Sequence, residues 1–224
     1  MKNLGLFLTA LLVAGVATDS LAADATAKIV DKIPPAQLDA AIRATLGGKA
    51  IQVGVEDKPA YEFWLCSEVL LGSKPASSAK ALDALKQATL LGAVNIPADL
   101  RDYRDDELHV GVYTMRFALQ PQDGNHLGTS EYSYFAVLTP AKFDPAPDGI
   151  ATYKALVKAS SKETATEHPL ILSLRPASSD SGDLPKLNIP APEHKSVRVR
   201  LPAKIGEDKT SLVFEIVYEG KGHK

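Results

Sequence analysis

Alternation of apolar and polar residues is the feature that most restricts the fold of this chain. Near the C-terminal end, two such runs flank the connection Gly206-Glu207-Asp208. Their apolar positions are Val197, Val199 and Leu201, and then Leu212, Phe214, Ile216 and Tyr218. A period of two places side chains on one face of an extended strand. The pattern therefore predicts a β-hairpin.

The same period recurs along the chain. Residues 51–55 and 61–65 predict an earlier hairpin, and residues 132–138 and 170–174 predict further strands. The longest run covers residues 110–120. One predicted face of this strand carries Tyr113, Met115, Phe117 and Leu119, and the other carries Val112, Thr114, Arg116, Ala118 and Gln120.

Helical periodicity is confined to short segments at residues 35–46, 79–88 and 150–158. Regular alternation of helices with strands, which a βαβ fold needs, is not present in the sequence. Many short strands separated by proline and glycine are typical of two-layer β proteins. We therefore expect a mostly β protein, an antiparallel β-sandwich with two or three short peripheral helices.

The N-terminal residues have the three parts of a cleavable secretory signal peptide. Lys2 supplies the positive charge, residues 4–16 are apolar, and Ser20-Leu21-Ala22 offers small residues for a signal peptidase. The apolar stretch is shorter than the ~20 residues that cross a bilayer. The sequence predicts a signal peptide over residues 1–22 and a single β-sandwich domain over residues 23–224.

This prediction places the protein outside the cytoplasm, either periplasmic or secreted, with no transmembrane segment after cleavage. Cleavage would remove Lys2 and Asp19 from 25 basic and 27 acidic residues, which leaves 24 against 26. Proteins that bind nucleic acid favour strongly basic surfaces, so this balance argues against a nucleic-acid partner. Small ligands and protein partners remain.

Cys66 is the only cysteine, so the chain has no internal disulfide. An exported domain without a disulfide depends on packing for its stability. Cys66 ends the predicted strand at residues 61–65, where a free cysteine is usually buried. We expect an inert buried thiol here.

The loop after the longest strand is the most distinctive segment. Asp123, Gly124 and His126 lie within four positions of each other, and His168 precedes Pro169 at the start of a later strand. A carboxylate and two imidazoles are ligands that divalent metals accept. We therefore predict a candidate metal site of Asp123, His126 and His168. The alternative is structural, because Asp-Gly-Asn is ordinary turn sequence.

Three other side chains are candidate ligand-binding residues. Arg116 and Gln120 share a face of the longest strand, and Trp64 shares a face with Cys66. On an exposed sheet face, an arginine can bind an anionic group and a tryptophan can stack on a sugar. The alternatives are an exposed or ion-paired arginine and a core tryptophan.

Catalytic residues stay unassigned. The sequence contains no His-Glu-x-x-His, no Gly-x-Ser-x-Gly and no phosphate-binding glycine loop. A catalytic triad depends on geometry rather than on spacing, so this observation lowers the expectation of an enzyme without deciding it.

One stretch of the chain resembles a group of uncharacterised exported bacterial proteins. The resemblance lies in Gly111-Val112-Tyr113-Thr114, in Gln120-Pro121-Gln122-Asp123-Gly124-Asn125-His126, and in the later His168-Pro169. It implies secretion and a β-rich domain over most of the mature chain. It implies no activity.

Three hypotheses of function follow. The first is an exported β-sandwich protein that binds a ligand or a partner protein. The second is a metal-binding protein or metal-dependent enzyme that uses Asp123, His126 and His168. The third is an accessory subunit of a cell-envelope complex.

Overall fold

The structure, a computed structural model, describes residues 25–55, 58–101, 107–121, 133–163, 168–177, 182–191 and 194–220. Within these ranges the strands are β1 (Ala25–Val30), β2 (Ala50–Val55), β3 (Lys58–Leu65), β4 (Val69–Leu70), β5 (Leu90–Ile96), β6 (Leu100–Arg101), β7 (Glu107–Leu108), β8 (Gly111–Leu119), β9 (Tyr134–Pro140), β10 (Leu170–Pro176), β11 (Lys186–Ala191), β12 (His194–Ile205) and β13 (Asp208–Gly220). The α-helices are α1 (Ala40–Thr45) and α2 (Tyr153–Ser160), and short 3-10 helices span Ser78–Ala84, Ala141–Phe143 and Ser161–Glu163.

One 11-stranded sheet dominates the described residues. Its order is β1-β2-β3-β5-β8-β9-β10-β13-β12-β11, with β4 added beside β12. All neighbours along this path are antiparallel, whereas β4 pairs with β12 in parallel. The prediction of a mostly β protein is confirmed. The antiparallel sandwich is not, because eleven of the thirteen described strands form one strongly curled mixed sheet, and β6 and β7 form a separate antiparallel pair.

The curl encloses the main hydrophobic core. Tyr61 of β3 donates a hydrogen bond from its hydroxyl to the carbonyl of Tyr218 in β13 at 2.6 Å, although these strands are far apart in the sheet order. Residues of the edge strand β1 also come within 8 Å (Cα–Cα) of the other edge strand, β11. The inner face of the sheet therefore packs against itself.

Strand β8 shows how the alternating pattern is used. Tyr113, Met115 and Phe117 belong to the main core, so their side is the inner face. Ala118 belongs to a second, smaller cluster on the outer face. The prediction is confirmed for Tyr113, Met115, Phe117 and Ala118. Two positions differ from it, because Val112 packs against the main core and Leu119, at the end of the strand, remains 43% exposed.

The second cluster lies between the outer face and helix α2. It is formed by Ala88, Ala118, Phe135, Val137, Ile150, Leu156, Ala159 and Ile171, with Tyr153 packed beside it. Ser160, at the end of α2, donates to the Leu138 carbonyl at 2.6 Å and accepts from the Leu170 amide at 3.0 Å. These bonds fix the helix on strands β9 and β10.

Gly92 marks an irregularity between β5 and β8. The register shifts between Leu90 and Gly92, as in a β-bulge. A Cβ atom at position 92 would lie 2.2 Å from the Trp64 carbonyl oxygen of the neighbouring strand. Only glycine allows the backbones of β3 and β5 to approach this closely.

The sequence located both hairpins and the C-terminal part of the helix predicted over residues 150–158. It overestimated the other helices. Residues 35–46 contain only α1, and residues 79–88 contain part of a 3-10 helix instead of an α-helix. None of the helices in the described ranges has the length and apolar character that crossing a membrane requires.

Candidate functional site

A buried ion pair lies on the outer face of β8. Because side chains alternate along a strand, Thr114 and Arg116 project from the face opposite the main core. The Arg116 guanidinium donates from Nε to Asp144 Oδ2 at 2.7 Å and from Nη2 to Oδ1 at 2.8 Å. Thr114 Oγ1 donates to Oδ2 at 2.5 Å. The arrangement is bidentate, the geometry that arginine and carboxylate groups favour.

Two backbone carbonyls complete the surroundings of Arg116. Nη1 donates to the Ala88 carbonyl at 2.9 Å, and Nη2 donates to the Ala146 carbonyl at 2.8 Å. An arginine has five N–H groups, and these hydrogen bonds, all to described residues, use four of them. The fifth belongs to Nη1. Arg116 thus connects two loops that are far apart in the sequence.

Ala88 has a backbone conformation that is unusual for alanine. Its φ is 65°, in the left-handed region, which costs a residue with a Cβ atom ~1 kcal/mol or more. Its amide donates to the Phe117 carbonyl at 2.8 Å, and its own carbonyl accepts from Arg116. These two bonds hold the turn in place beside β8.

A groove of about 370 Å³ opens above this ion pair. It is lined by residues from three segments, 66–70, 86–90 and 147–151, together with Thr45 and Arg116. We call it the Arg116 groove. Pockets for small molecules have volumes of roughly 300–1,000 Å³ and combine apolar walls with a few polar groups. The Arg116 groove has this size and this mixed lining.

The charges in the groove are of two kinds. Glu68 is bound by Lys204, with Nζ 2.9 Å from Oε1. Lys86 and Asp148 are exposed, lie on different segments of the lining, and take part in no ion pair among the described residues. Because Asp144 compensates the charge of Arg116, the ammonium of Lys86 is the uncompensated positive charge among the described lining residues.

Cys66 forms part of the groove wall but is poorly suited to react. It is 4% exposed, and its Sγ donates to the Leu90 carbonyl at 3.4 Å. Burial raises the pKa of the thiol to about 11, and this effect outweighs the hydrogen bond to Thr45 and the charge of Arg116, both of which lower the pKa. Thiolate is the reactive form of cysteine. The prediction that Cys66 is buried is confirmed, and the raised pKa agrees with the expectation of an inert thiol.

The three predicted ligand-binding residues are not brought together. Arg116 lines the groove, although nearly all of its hydrogen-bonding capacity is used internally. Trp64 is fully buried, and its Nε1 donates to the Lys32 carbonyl at 2.8 Å, so its ring has no free surface on which a sugar could stack. Gln120 is buried at the end of β8 and is not part of the groove lining.

The predicted metal site falls mainly outside the described residues, because Asp123 and His126 belong to the range 122–132. His168 is described and exposed. His168 lies just before Leu170, which pairs with Leu138 near the end of β9. Gln120 and Ser133, on either side of the undescribed range, are hydrogen-bonded to each other at the start of β9. Among the described residues, no group of three or more histidine, cysteine or acidic side chains could hold a metal ion.

Sequence reasoning missed Asp144 and Ala88. Asp144 follows a three-residue 3-10 helix, where no periodic pattern marks it. The one usable signal was Arg116 itself, because a charged residue in an otherwise apolar strand requires a partner when it is buried. That argument predicts a carboxylate without saying which of the 27 acidic residues supplies it.

Comparisons with known proteins gave no match: no protein-family model, no curated protein and no solved structure is similar to this chain.

Proposed function

We propose that this protein is exported and acts outside the cytoplasm as a β-rich binding protein whose ligand occupies the Arg116 groove. The observation that carries the proposal is the construction of the groove. A fully buried ion pair joins its floor to the loops at Ala88 and Ala146, so its shape is fixed before a ligand arrives. A preformed site lowers the entropic cost of binding.

The sequence supports the export part of the proposal. Lys2, the apolar residues 4–16 and Ser20-Leu21-Ala22 follow the order of a cleavable signal peptide. A single buried cysteine is also compatible with an oxidising compartment, because an inaccessible thiol does not form mixed disulfides.

Binding is placed ahead of the other two hypotheses for a structural reason. The groove is a concave surface built from described side chains. The metal-site hypothesis depends on Asp123 and His126, which lie outside the described residues, and no contact of the described residues points to an accessory subunit of an envelope complex.

Export is tested by expressing the full chain in a bacterium and measuring the intact mass of the protein recovered from the periplasm. We expect a mass that corresponds to loss of residues 1–22 or 1–23. Recovery of the full-length chain from the cytoplasm alone would contradict the export proposal.

Binding is tested by screening small fragments against the ¹⁵N-labelled mature protein by NMR. We expect fragments that shift the amide resonances of Thr89 and Ala151, at the groove, to lose this effect in Ala151→Trp, because the indole would fill the groove. Ala155→Trp, on the exposed side of α2, is the matched control and should bind as the wild type does. Fragments that shift no groove resonance, or that bind Ala151→Trp unchanged, would contradict the proposal.

A further inference from the structure

The polar groups of the Arg116 groove narrow the chemistry of the ligand, if the groove is the binding site proposed above. The remaining N–H of Arg116 Nη1 is a donor on a side chain that is only 1% exposed. Arginine has no acceptor atom. A ligand that fills the groove down to its floor must therefore present an acceptor oxygen or nitrogen at this point, or leave a buried donor without a partner, which is unfavourable.

The charge of that acceptor follows from Lys86. Asp144 already neutralises Arg116, so Arg116 contributes a directed hydrogen bond and little net charge. Lys86 lies two positions before Ala88, whose carbonyl is bound to the guanidinium. Its aliphatic carbons pass close to the backbone of Gly72, where a Cβ atom would lie 3.6 Å from Lys86 Cε. Lys86 therefore lines the groove from the segment that Arg116 holds at Ala88.

The rest of the lining is largely apolar. Val69, Leu90 and Ile150 are each less than one-tenth exposed and form parts of three different segments. Such surfaces favour hydrocarbon. Asp148 argues against an anionic ligand, because its exposed carboxylate would attract a cation. Arg116, the buried charged side chain of the lining, has only donors and therefore binds an acceptor rather than a cation.

We propose that the ligand of the Arg116 groove is a small carboxylate with an apolar body, bound through Arg116 Nη1 and the Lys86 ammonium while its hydrocarbon part contacts Val69, Leu90 and Ile150. The inference rests on the proposed binding function. It adds the class of ligand and the two groups that select it.

The experiment titrates the ¹⁵N-labelled mature protein with three probes of equal length: hexanoate, hexanamide and hexylamine. We expect hexanoate to shift the groove resonances with an affinity roughly fivefold or more above that of hexanamide, because only the carboxylate pairs with Lys86. Lys86→Gln should remove this preference. Lys80→Gln, an exposed lysine of the preceding 3-10 helix outside the groove lining, is the matched control and should retain it.

The outcomes separate this inference from the proposed function. Equal binding of hexanoate and hexanamide, or an unchanged preference in Lys86→Gln, would overturn the carboxylate class and leave a binding groove. Stronger binding of hexylamine would overturn it in favour of Asp148 as the selecting group. If none of the probes binds but other fragments do, the carboxylate inference fails alone; if no fragment binds, the proposed function fails with it.

Discussion

Two arginine–carboxylate pairs on the outer face of the sheet have similar chemistry and different surroundings. In the first, Arg116 and Asp144 are 1% and 0% exposed, and each carboxylate oxygen accepts from a different guanidinium nitrogen. In the second, Arg198 and Glu215 are 25% and 5% exposed, and Nε and Nη2 both donate to Oε1, at 3.2 Å and 2.9 Å. Burial and geometry both favour the first pair.

The two pairs also connect different parts of the fold. Arg198 and Glu215 are register partners in β12 and β13, which the backbone ladder already joins. Arg116 instead links β8 to the loop at residues 144–146, which no strand pairing joins to β8, and to Ala88, whose turn is also held by backbone hydrogen bonds to Phe117. The comparison indicates that the first pair shapes the groove, whereas the second reinforces strands that are already paired.

We expect the largest loss of folding stability from Asp144→Ala. This change leaves the Arg116 guanidinium buried without its counter-charge, and such a loss costs about 3–5 kcal/mol of folding free energy. The measurement is urea denaturation followed by the emission of Trp64, the only tryptophan, which is fully buried.

The matched control is the double variant Arg116→Met with Asp144→Leu, which removes both charges and should recover most of the lost stability. If Asp144→Ala unfolds at the same urea concentration as the wild type, the ion pair does not hold the loops in place.

We expect Glu215→Gln to lower the free energy of unfolding by less, about 1–3 kcal/mol. The reason is that Arg198 is partly exposed and can be hydrated when its partner loses its charge. Ser196 and Asn188 also donate to this carboxylate, at 2.8 Å and 3.0 Å, and either can still bond to the amide. Urea denaturation of both variants under the same conditions tests the ranking. A loss equal to that of Asp144→Ala would contradict the difference drawn from burial.

Glu215→Gln also tests how the stability of the fold depends on pH. Burial by itself raises the pKa of Glu215, but hydrogen bonds from Asn188, Ser196 and Arg198, with the charge of Arg198, outweigh it and lower the pKa below 4.5. A lowered pKa stabilises the fold above the unfolded value, and this contribution is lost as pH falls through the folded value. Stability should therefore decline below about pH 4.5, and less steeply in Glu215→Gln. Identical acid slopes would contradict this role for Glu215.

The smallest expected effect is on the pKa of the Cys66 thiol, which depends on the charge of Arg116. With Asp144 present, the thiol has a pKa of about 11, and the ultraviolet absorbance of thiolate should rise only near that pH. Asp144→Asn removes the compensating charge, so the nearby guanidinium should lower the pKa of the thiol. A wild-type thiol that titrates near its ordinary value of 9.0 would show that Cys66 is not buried as described.

Much of the fold was predictable because its signals are local. Alternation at Val197–Leu201 and Leu212–Tyr218 depends only on which side chains point inward, so both strands of that hairpin were located. Helices were overestimated because short apolar repeats, such as those at residues 79–88, also suit a 3-10 turn. The curl of the sheet was not predictable. It depends on how far strand twist accumulates before Tyr61 meets Tyr218 across the core.

By itself, the sequence determined that this chain forms strands, that Tyr113, Met115 and Phe117 share the inner face of one of them, and that Arg116 lies on the other face. These properties follow from a period of two. Only the tertiary structure decided that Asp144, 28 residues away, is the partner of Arg116 and that a groove lies above the pair. The reason is physical: the cost of burying a charge requires a partner, but the path of the chain selects which residue provides it.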